Sequence, residues 1–554
     1  MYEVRSVSLS SLSLAGKAKR CHLLATEREP NLKIRTSSFK SFFFLFMRFI
    51  SCQTNRSMGA GNGREGTVRA ALHGKGKLGG KLAGLSLPRQ IVTIALWPLL
   101  EQVLSFICAS TSLYLATHMG TEDAVTEKIA SGIGVTGYIL WLGFLMQGAV
   151  GMGATAIVSR KTGARKFGEA NFAANQAAVL GLMAGIASAL LMYISADFLV
   201  YTVLELSAYA REVALTYMHT ACWVAVFSGI IFAVNAALRG AGDTKTPFYI
   251  MLAVDGFNII FSLILVKCFG LFVEGLAWGM ILGMAVAAAI LVSILIHRTI
   301  RMRRCLGTRS IDEYAEEQGE NYVPPLHLRL RDMLPDARTI YRILAIGLPQ
   351  AVEIGGIWLI QIFVLRVISQ LGDAYVGAHN IAIRIESLSF LPGFAIGMAG
   401  ATLVGQYLGA GSVRLALETV RKCVRYSLVF MGLMGIFFYF FPEVFVNLFA
   451  SNSEGLRQAT SPVVQLFLII EPFYAAMLMI KMCLRGAGDT RRVMYVSYGC
   501  MGFFRLACLY VWTLFWPETL SLVGIWCLFT LDMAVEYLIL NRMLTGLKWA
   551  RKKV

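Results

Sequence analysis

The sequence predicts an all-α integral membrane protein with twelve transmembrane helices in two six-helix bundles related by a parallel internal repeat. Two observations predict it. Of its 554 residues, 56% are hydrophobic and only 15% charged, and the mean hydropathy is +0.63, which is too apolar for an ordinary water-soluble domain. The heptapeptide Leu-Arg-Gly-Ala-Gly-Asp-Thr occurs at 238–244 and again at 484–490. The first observation indicates the spans and the second a duplication.

Twelve apolar runs after residue 90 are each long enough to cross a bilayer core of about 30 Å as a helix. Backbone polar groups in lipid must be paired within a helix or a closed barrel, and barrel strands are only roughly ten residues long. Runs of this length therefore favour helices. The predicted spans are 91–117, 133–158, 174–195, 212–237, 246–267, 275–297, 343–370, 378–406, 419–441, 462–484, 493–516 and 521–545.

A second match in the same register supports the duplication. GMGATAIVSRKTGA at 151–164 aligns with GMAGATLVGQYLGA at 397–410, a shift of 246 residues. With six spans per copy, both halves enter the membrane in the same orientation, so we expect a pseudo-twofold axis along the membrane normal and a substrate site between the lobes. The heptapeptide itself predicts a turn or hinge. As an alternative, Arg239, Asp243, Arg485 and Asp489 form a cytoplasmic gate contact between the lobes.

Charge indicates the topology. Lys and Arg number 51 against 33 Asp and Glu, a net charge of +18, and basic clusters follow spans two and six, begin span nine and end the chain. Short basic loops stay on the cytoplasmic side, so we expect a multi-pass protein of the cell (inner) membrane with both termini cytoplasmic, and no nucleic-acid partner. The predicted parts are a basic, disordered extension (1–90), the first lobe (91–297), a cytoplasmic linker (298–340) and the second lobe (341–554).

Acids inside the apolar runs are the candidate functional groups, because a charge near the bilayer centre costs about 2.5 to 3.5 kcal/mol on insertion scales. Glu101, three residues after Pro98, and Glu353, four after Pro349, occupy nearly equivalent places in spans one and seven. A desolvated Glu can bind H+ or, with nearby carbonyls, Na+. Glu353 is the candidate Na+ ligand. The structural alternative for both is an acid at a helix end or the membrane interface.

The other candidate cation-coupling or substrate-binding residues are Asp255, Glu386, Arg384 and Glu471. Arg384 and Glu386 are two residues apart on span eight and are expected on different faces. Arg384 could clamp a carboxylate in one state and release it in another; a static ion pair is the alternative. Asp532 and Glu536 share one face of span twelve by their four-residue spacing.

With these residues assembled, the chain resembles the multidrug and toxic compound extrusion (MATE) family. The resemblance covers about residues 90–550 and rests on LRGAGDT ending spans four and ten, GLPQAVE opening span seven, GAHNIAIRIESLSFLPGF through span eight and LVGQYLGAG ending it. It implies two bundles facing a central cleft, and export of organic cations or other amphipathic compounds driven by inward Na+ or H+. Ser112 and Ser262 stand where many members carry aspartates, so the usual cation site of the first lobe is expected to be absent.

The predicted function is secondary active efflux of drugs or other amphipathic organic cations in exchange for H+ or Na+ by alternating access. The sequence contains no P-loop, HExxH or GxSxG motif, so no ATP-driven transport or common hydrolase chemistry is indicated, and an enzyme is not expected. The coupling ion is the only expected cofactor, the partners are the substrate and the bilayer, and a monomer is expected. The alternative is a flippase for a lipid-linked saccharide, with Arg366, Arg384 and Arg505 lining a basic cleft.

Overall fold

The regular structure of the chain is helical wherever it is described. The computed structural model describes residues 78–117, 143, 147–198, 201, 208–271, 273–450 and 454–552, and no strand occurs within these ranges. Most of the predicted N-terminal extension and of the first half of span two lie outside the described residues. Residues 87–90, assigned to that extension from the sequence, belong to the first helix.

The spans keep the numbers of the predicted apolar runs. Their helices are Leu87–Thr117 (one), 147–163 (the described part of two), Phe167–Phe198 (three), Ala208–Ala221 with Val224–Gly240 (four), Lys245–Lys267 (five), Val273–Leu306 (six), Ala337–Ser369 (seven), Asp373–Gly409 (eight), Val413–Phe440 (nine), Glu454–Gly486 (ten), Thr490–Phe515 (eleven) and Leu522–Thr545 (twelve). Among the described residues ten helices are long and apolar enough to cross a membrane, or eleven if the two segments of span four, bent by 47°, count as one.

Several helices extend beyond the apolar runs that predicted them. Span six continues from the predicted end at residue 297 to Leu306, and its last turn carries Arg303 and Arg304. Basic side chains at a helix C-terminus interact favourably with the partial negative charge of its free carbonyls. Hydropathy therefore marks the part of a helix that faces lipid, while the hydrogen-bonded helix continues into the polar region beyond it.

The same helix contacts recur in both halves. In the first lobe span four packs on spans three and six, and span one packs on span five. In the second lobe span ten packs on spans nine and twelve, and span seven packs on span eleven. These pairs correspond under the repeat. The two bundles are thus built on one packing scheme, as the parallel internal repeat predicts.

Spans two and eight, which correspond in the repeat, meet at their C-terminal ends through glycines. A Cβ atom on Gly163 would lie 1.9 Å from the carbonyl oxygen of Gln406, and a Cβ on Gly409 would lie 2.0 Å from that of Arg160. Gly163 and Gly409 are 246 positions apart, and so are Arg160 and Gln406, whose carbonyls they face. The contact is therefore reciprocal about the pseudo-twofold axis. A side chain at either glycine would separate the backbones. The lobes therefore touch at the membrane face that carries the basic loops.

Alanine at either glycine should weaken this reciprocal contact. We expect Gly163→Ala and Gly409→Ala each to lower the apparent unfolding temperature and the transport rate, because a carbonyl 2 Å from a new methyl group has to move. Thermal unfolding in detergent and dye export from proteoliposomes measure the two effects. The matched control is Gly148→Ala, where a Cβ meets nothing within 4 Å. Equal behaviour of all three variants would contradict the assignment.

The polar linker is held against the first lobe rather than hanging free. Three side chains of span three bind its backbone: Asn171, Asn175 and Gln176. The amide nitrogen of Gln176 donates to the carbonyls of Asp332 and Leu334, both at 2.7 Å, and its oxygen accepts from the backbone of Asp336 at 2.8 Å. These bonds satisfy an extended backbone that has no ladder of its own. The linker therefore belongs with the first lobe as far as Asp336, which caps span seven through Thr339.

Removing these bonds should release the linker. In Gln176→Leu, three backbone groups lose their partners, and we expect tryptic cleavage after Arg329 and Arg331 to become faster than in the wild type. Limited proteolysis followed by mass spectrometry measures the rate. Gln370→Leu, at an exposed helix end, is the control and should leave cleavage unchanged. Unchanged cleavage in Gln176→Leu would show that the side chain does not hold the linker.

Candidate functional site

Glu353 lies one turn after Pro349 on span seven and has 0% exposed surface. Its Oε1 faces the Nη2 of Arg485 at 2.9 Å, the hydroxyl of Ser497 at 2.6 Å and the Nζ of Lys481 at 3.6 Å. An unpaired carboxylate is very costly to bury, whereas one with two cations and a hydroxyl donor is compensated. Spans ten and eleven therefore supply what Glu353 needs to stay inside the lobe.

Glu536 on span twelve shares two of these partners. Its Oε1 lies 2.7 Å from the Nζ of Lys481 and 2.7 Å from the hydroxyl oxygen of Ser497. The hydroxyl has one proton and can donate to one carboxylate at a time, so the ammonium supplies the other hydrogen bond. We call the following five residues the charge network: Glu353, Lys481, Arg485, Ser497 and Glu536.

Sequence reasoning missed Lys481 and Ser497. The signal for Lys481 was present, because it is a base inside an apolar run and lies four residues before Arg485, which places both on one face of span ten. Ser497 gave no signal, since a serine in a helix is common. The contacts of Glu536 with Lys481 on span ten and Ser497 on span eleven are decided by helix packing.

The first lobe contains a smaller version of the same arrangement. The Nη2 of Arg239 lies 2.6 Å from the Oε1 of Glu101. Arg239 and Arg485 are 246 positions apart, so the ion pair of spans one and four corresponds to the pair formed by Glu353 with Arg485 on spans seven and ten. In the described residues each arginine pairs inside its own lobe. The described ion pairs of the two heptapeptides lie within the lobes, with a carboxylate on a neighbouring helix within reach of each arginine. The gate contact between the heptapeptides stays a prediction.

The aspartates of the two heptapeptides close the turns that follow spans four and ten. The carboxylate of Asp243 lies 2.8 Å from Arg298, and that of Asp489 lies 3.1 Å from Lys552. The glycine before each aspartate has a positive φ, 91° and 86°, a backbone conformation that favours glycine. The repeated motif is a pair of turns held by ion pairs.

Asp255 lies on span five and contacts span one. Its Oδ2 accepts a hydrogen bond from the hydroxyl of Ser105 at 3.2 Å, and it lies near enough to Glu101 for the two carboxylates to repel each other. Close by, Ser262 donates to the side-chain oxygen of Asn258 at 3.2 Å. Glu101 and Asp255 therefore lie near each other in the first lobe.

Glu471 and Glu386 form a second group of acids in the second lobe. Glu471 has 0% exposed surface, and no base pairs with its carboxylate within the described parts of the chain. The hydroxyl of Ser389 lies beside this carboxylate, and Oε1 of Glu386 is buried with no hydrogen-bond partner among the described residues. Glu386 lies close enough to Glu471 for mutual repulsion. We call Glu386, Ser389 and Glu471 the acid pocket.

Arg384 lies on the opposite side of span eight from the acid pocket. Its residue surface is exposed, while the carboxyl oxygen of Glu386 is buried, in line with a two-residue offset on a helix. Among the described contacts Arg384 forms no salt bridge with Glu353 or Glu386. The guanidinium that acts on Glu386 belongs instead to Arg505.

Arg505 lies in a π-helical segment, Gly502–Cys508, within span eleven. Its Nε lies 2.7 Å from Oδ2 of Asp532, and its guanidinium carbon lies 4.4 Å from the ring centre of Phe529. π-Helical turns redirect side chains and are frequent at functional sites. The π-helical segment directs Arg505 towards Asp532 and towards Glu386 of the acid pocket. A regular 3.6-residue period does not predict this direction.

No metal centre is evident in these groups. Within the described residues, no cluster of three or more His, Cys, Asp or Glu side chains could hold a metal ion. The candidate Na+ ligand, Glu353, is surrounded by Arg485, Lys481 and Ser497.

Two repeated helical bundles that bury paired charges define a multi-pass membrane transporter. A sequence model of the MatE family matches residues 98–264 and 349–511, and the chain belongs to this family. The chain is 26% identical over 477 residues to "Probable multidrug resistance protein NorM" of Thermotoga maritima, covering 84% of this chain and 94% of that protein. It is 25% identical to "Multidrug resistance protein MdtK" of Photorhabdus laumondii, over 69% and 80% of the two chains. The family consists of transporters, so the chain is not an enzyme.

Solved structures share the fold. A MOP superfamily transporter from Pyrococcus furiosus, described as having a binding pocket of reverse polarity, superposes with a TM-score of 0.70 at 18% identity, over 85% of this chain and 98% of the other. The outward-facing conformation of a multidrug resistance MATE family transporter gives the same TM-score, identity and coverage. The predicted twelve-helix fold and the resemblance to the MATE family are therefore confirmed.

The turn after span four offers a pH test. Burial by itself raises the pKa of Asp243, but the Arg298 guanidinium and the Thr246 hydroxyl more than offset it and hold the pKa below its usual value. Its ionised form therefore stabilises the fold above the unfolded-state pKa of about 3.9, and this contribution is lost as the pH falls through the lower folded-state value. We expect Asp243→Asn to cost roughly 1–3 kcal/mol at pH 7, with a gap to the wild type that closes below about pH 4. Thermal unfolding across pH measures it; a gap independent of pH would contradict the ion pair.

Proposed function

We propose that this chain exports amphipathic organic cations in exchange for protons, by alternating access between its two lobes. Curated relatives carry the description multidrug resistance protein, which supports small organic substrates. The proposed setting is the cell (inner) membrane, with both termini on the cytoplasmic side and the protein working as a monomer. The basic loops support this orientation, since they collect on one face.

The observation that carries the proton coupling is the carboxyl group of Glu471. Both its oxygens are buried with no base paired to them among the described residues, and a second acid, Glu386, lies nearby. A lone carboxylate in an apolar interior is unfavourable, and two neighbouring ones are more so. A protonated, neutral acid avoids both the cost of burying a charge and the repulsion between two carboxylates. The acid pocket therefore supports a state in which protons are bound.

The contact between the lobes agrees with proton loading from outside. The lobes touch at the face with the basic loops, through Gly163 and Gly409, so access to the second lobe is expected from the opposite face. Protons enter there, the lobes rock, and loss of the protons on the inner side leaves carboxylates that attract a cationic substrate. Proton and substrate compete for the same negative charge, and this competition couples their fluxes.

The charge inside the second lobe favours a cationic substrate over a phosphate-bearing lipid. The ionisable groups described above in its interior are five acids, Glu353, Glu386, Glu471, Asp532 and Glu536, and three bases, Lys481, Arg485 and Arg505. The other arginines of the flippase alternative, Arg366 and Arg384, are exposed. A lobe interior that is acidic overall favours cations over phosphate, so the flippase is the weaker proposal.

Glutamine at position 471 should uncouple transport. In proteoliposomes with an imposed pH gradient, we expect Glu471→Gln to reduce export of an amphipathic cationic dye by at least about tenfold, because the side chain can no longer release a proton. Exchange of dye for unlabelled dye without a gradient should persist. Glu418→Gln, an exposed acid paired with Arg414, is the matched control.

The comparison of gradients decides the proposal. The wild type should respond to a pH gradient and not to a Na+ gradient of equal size. Export driven by pH that is unchanged in Glu471→Gln would remove the acid pocket from the mechanism. Absence of any pH-driven export by the wild type would overturn proton coupling itself.

A further inference from the structure

Lys481 is a buried base in the second lobe, and the proton exchange proposed for Glu471 and Glu386 does not use it. It lies on span ten with 6% of its surface exposed. Its ammonium lies 2.7 Å from Oε1 of Glu536 and 3.6 Å from Oε1 of Glu353. The hydroxyl oxygen of Ser497 lies within 2.7 Å of the same two oxygens. Two carboxylate oxygens bridged by a hydroxyl therefore surround one compact, singly charged group.

These three oxygens are the ligand types that hard metal cations prefer. An ammonium is a compact point charge, whereas a guanidinium is a wide planar fork. Lys481 thus resembles a small monovalent ion in charge and size, and Arg485, which contacts only Glu353 in this network, does not. The ammonium lies where a free cation bridging Glu353 and Glu536 would lie.

The first lobe provides an internal comparison. The repeat places Asn235 at the position of Lys481, 246 residues earlier. Span six, the counterpart of span twelve, has no acid between residues 275 and 306. At the positions that correspond to the charge network, the first lobe therefore has one acid and one base, Glu101 and Arg239, where the second lobe has two of each. The additional base, Lys481, thus occurs in the lobe that has the additional carboxylate, Glu536.

We propose that Lys481 is a tethered cation that fills the position of a Na+ ion between Glu353 and Glu536, and that it thereby prevents this lobe from binding Na+. The inference rests on the proposed function and adds the reason why protons, and not Na+, drive it. A covalent tether holds the ammonium at a high local concentration. A Na+ ion would have to displace the ammonium from both Glu353 and Glu536.

Removing the ammonium should create a Na+ site. We expect Lys481→Met, which keeps an unbranched side chain one atom shorter and removes the charge, to unfold at a higher temperature in NaCl than in choline chloride of equal ionic strength. The wild type should unfold at the same temperature in both salts. Thermal unfolding of the purified full chain in detergent measures this without any transport step. In proteoliposomes, dye export by Lys481→Met should gain a response to a Na+ gradient.

Two matched variants separate charge from packing. Lys481→Arg keeps the positive charge and should show no Na+ response. Lys481→Met combined with Glu536→Gln removes one cation and one acid, which leaves a single Glu–Arg pair like that of Glu101 with Arg239, and should also show none. A folded Lys481→Met protein with equal stability in both salts would overturn the inference.

If Lys481→Met does not fold, a measurement on the wild type still tests the inference. Stabilisation of the wild type by Na+ that disappears in Glu353→Gln would show that the position is open to metal, and would overturn it. The proposed function fails separately, through lack of pH-driven export by the wild type, and that result does not alter the binding measurement in detergent.

Discussion

The structure depends on the pairing of buried opposite charges in a medium that cannot solvate them. Each lobe ties a glutamate of its first helix to an arginine at the end of its fourth, Glu101 to Arg239 and Glu353 to Arg485. Breaking such a pair by removing one partner leaves an unpaired charge in the interior, which costs about 3–5 kcal/mol in proteins. The pairs therefore hold spans one and four, and seven and ten, in one arrangement, and the turns of the repeated heptapeptide follow directly after the arginines.

Duplication has produced two bundles of equal packing and unequal charge. The first lobe carries a single arginine pair with a nearby aspartate, and it binds the linker through span three. The second lobe adds Lys481, Glu536, Arg505 and Asp532, and beside them the acid pocket. In the proposed mechanism the first lobe is the frame and the second carries the proton chemistry. In that mechanism the reciprocal glycine contact is where the lobes would part; it is made by backbones, and no ion pair described there would have to break.

Much of the fold could be read from the amino-acid order, and less of the site. Apolar runs of bilayer length predict helices without knowledge of their neighbours, and Glu353 and Glu471 stand out as charges inside such runs. The partners do not stand out. Ser497 is unremarkable in sequence, and the π-helical turn that aims Arg505 at Asp532 breaks the period on which predictions of helix faces depend. Arg384, a natural candidate by composition, lies on the exposed side of its helix.

The sequence by itself determined the twelve spans, the duplication, the turns of the heptapeptide and the identity of the buried acids, because hydropathy and repeat register are properties of the chain alone. The tertiary structure decided which acid meets which base, that Lys481 lies between two carboxylates, that Glu471 meets none of the described bases, and that the linker stays with the first lobe. Such contacts join helices tens to hundreds of residues apart. Their distances are set by how the helices rotate and cross, and no local pattern records that.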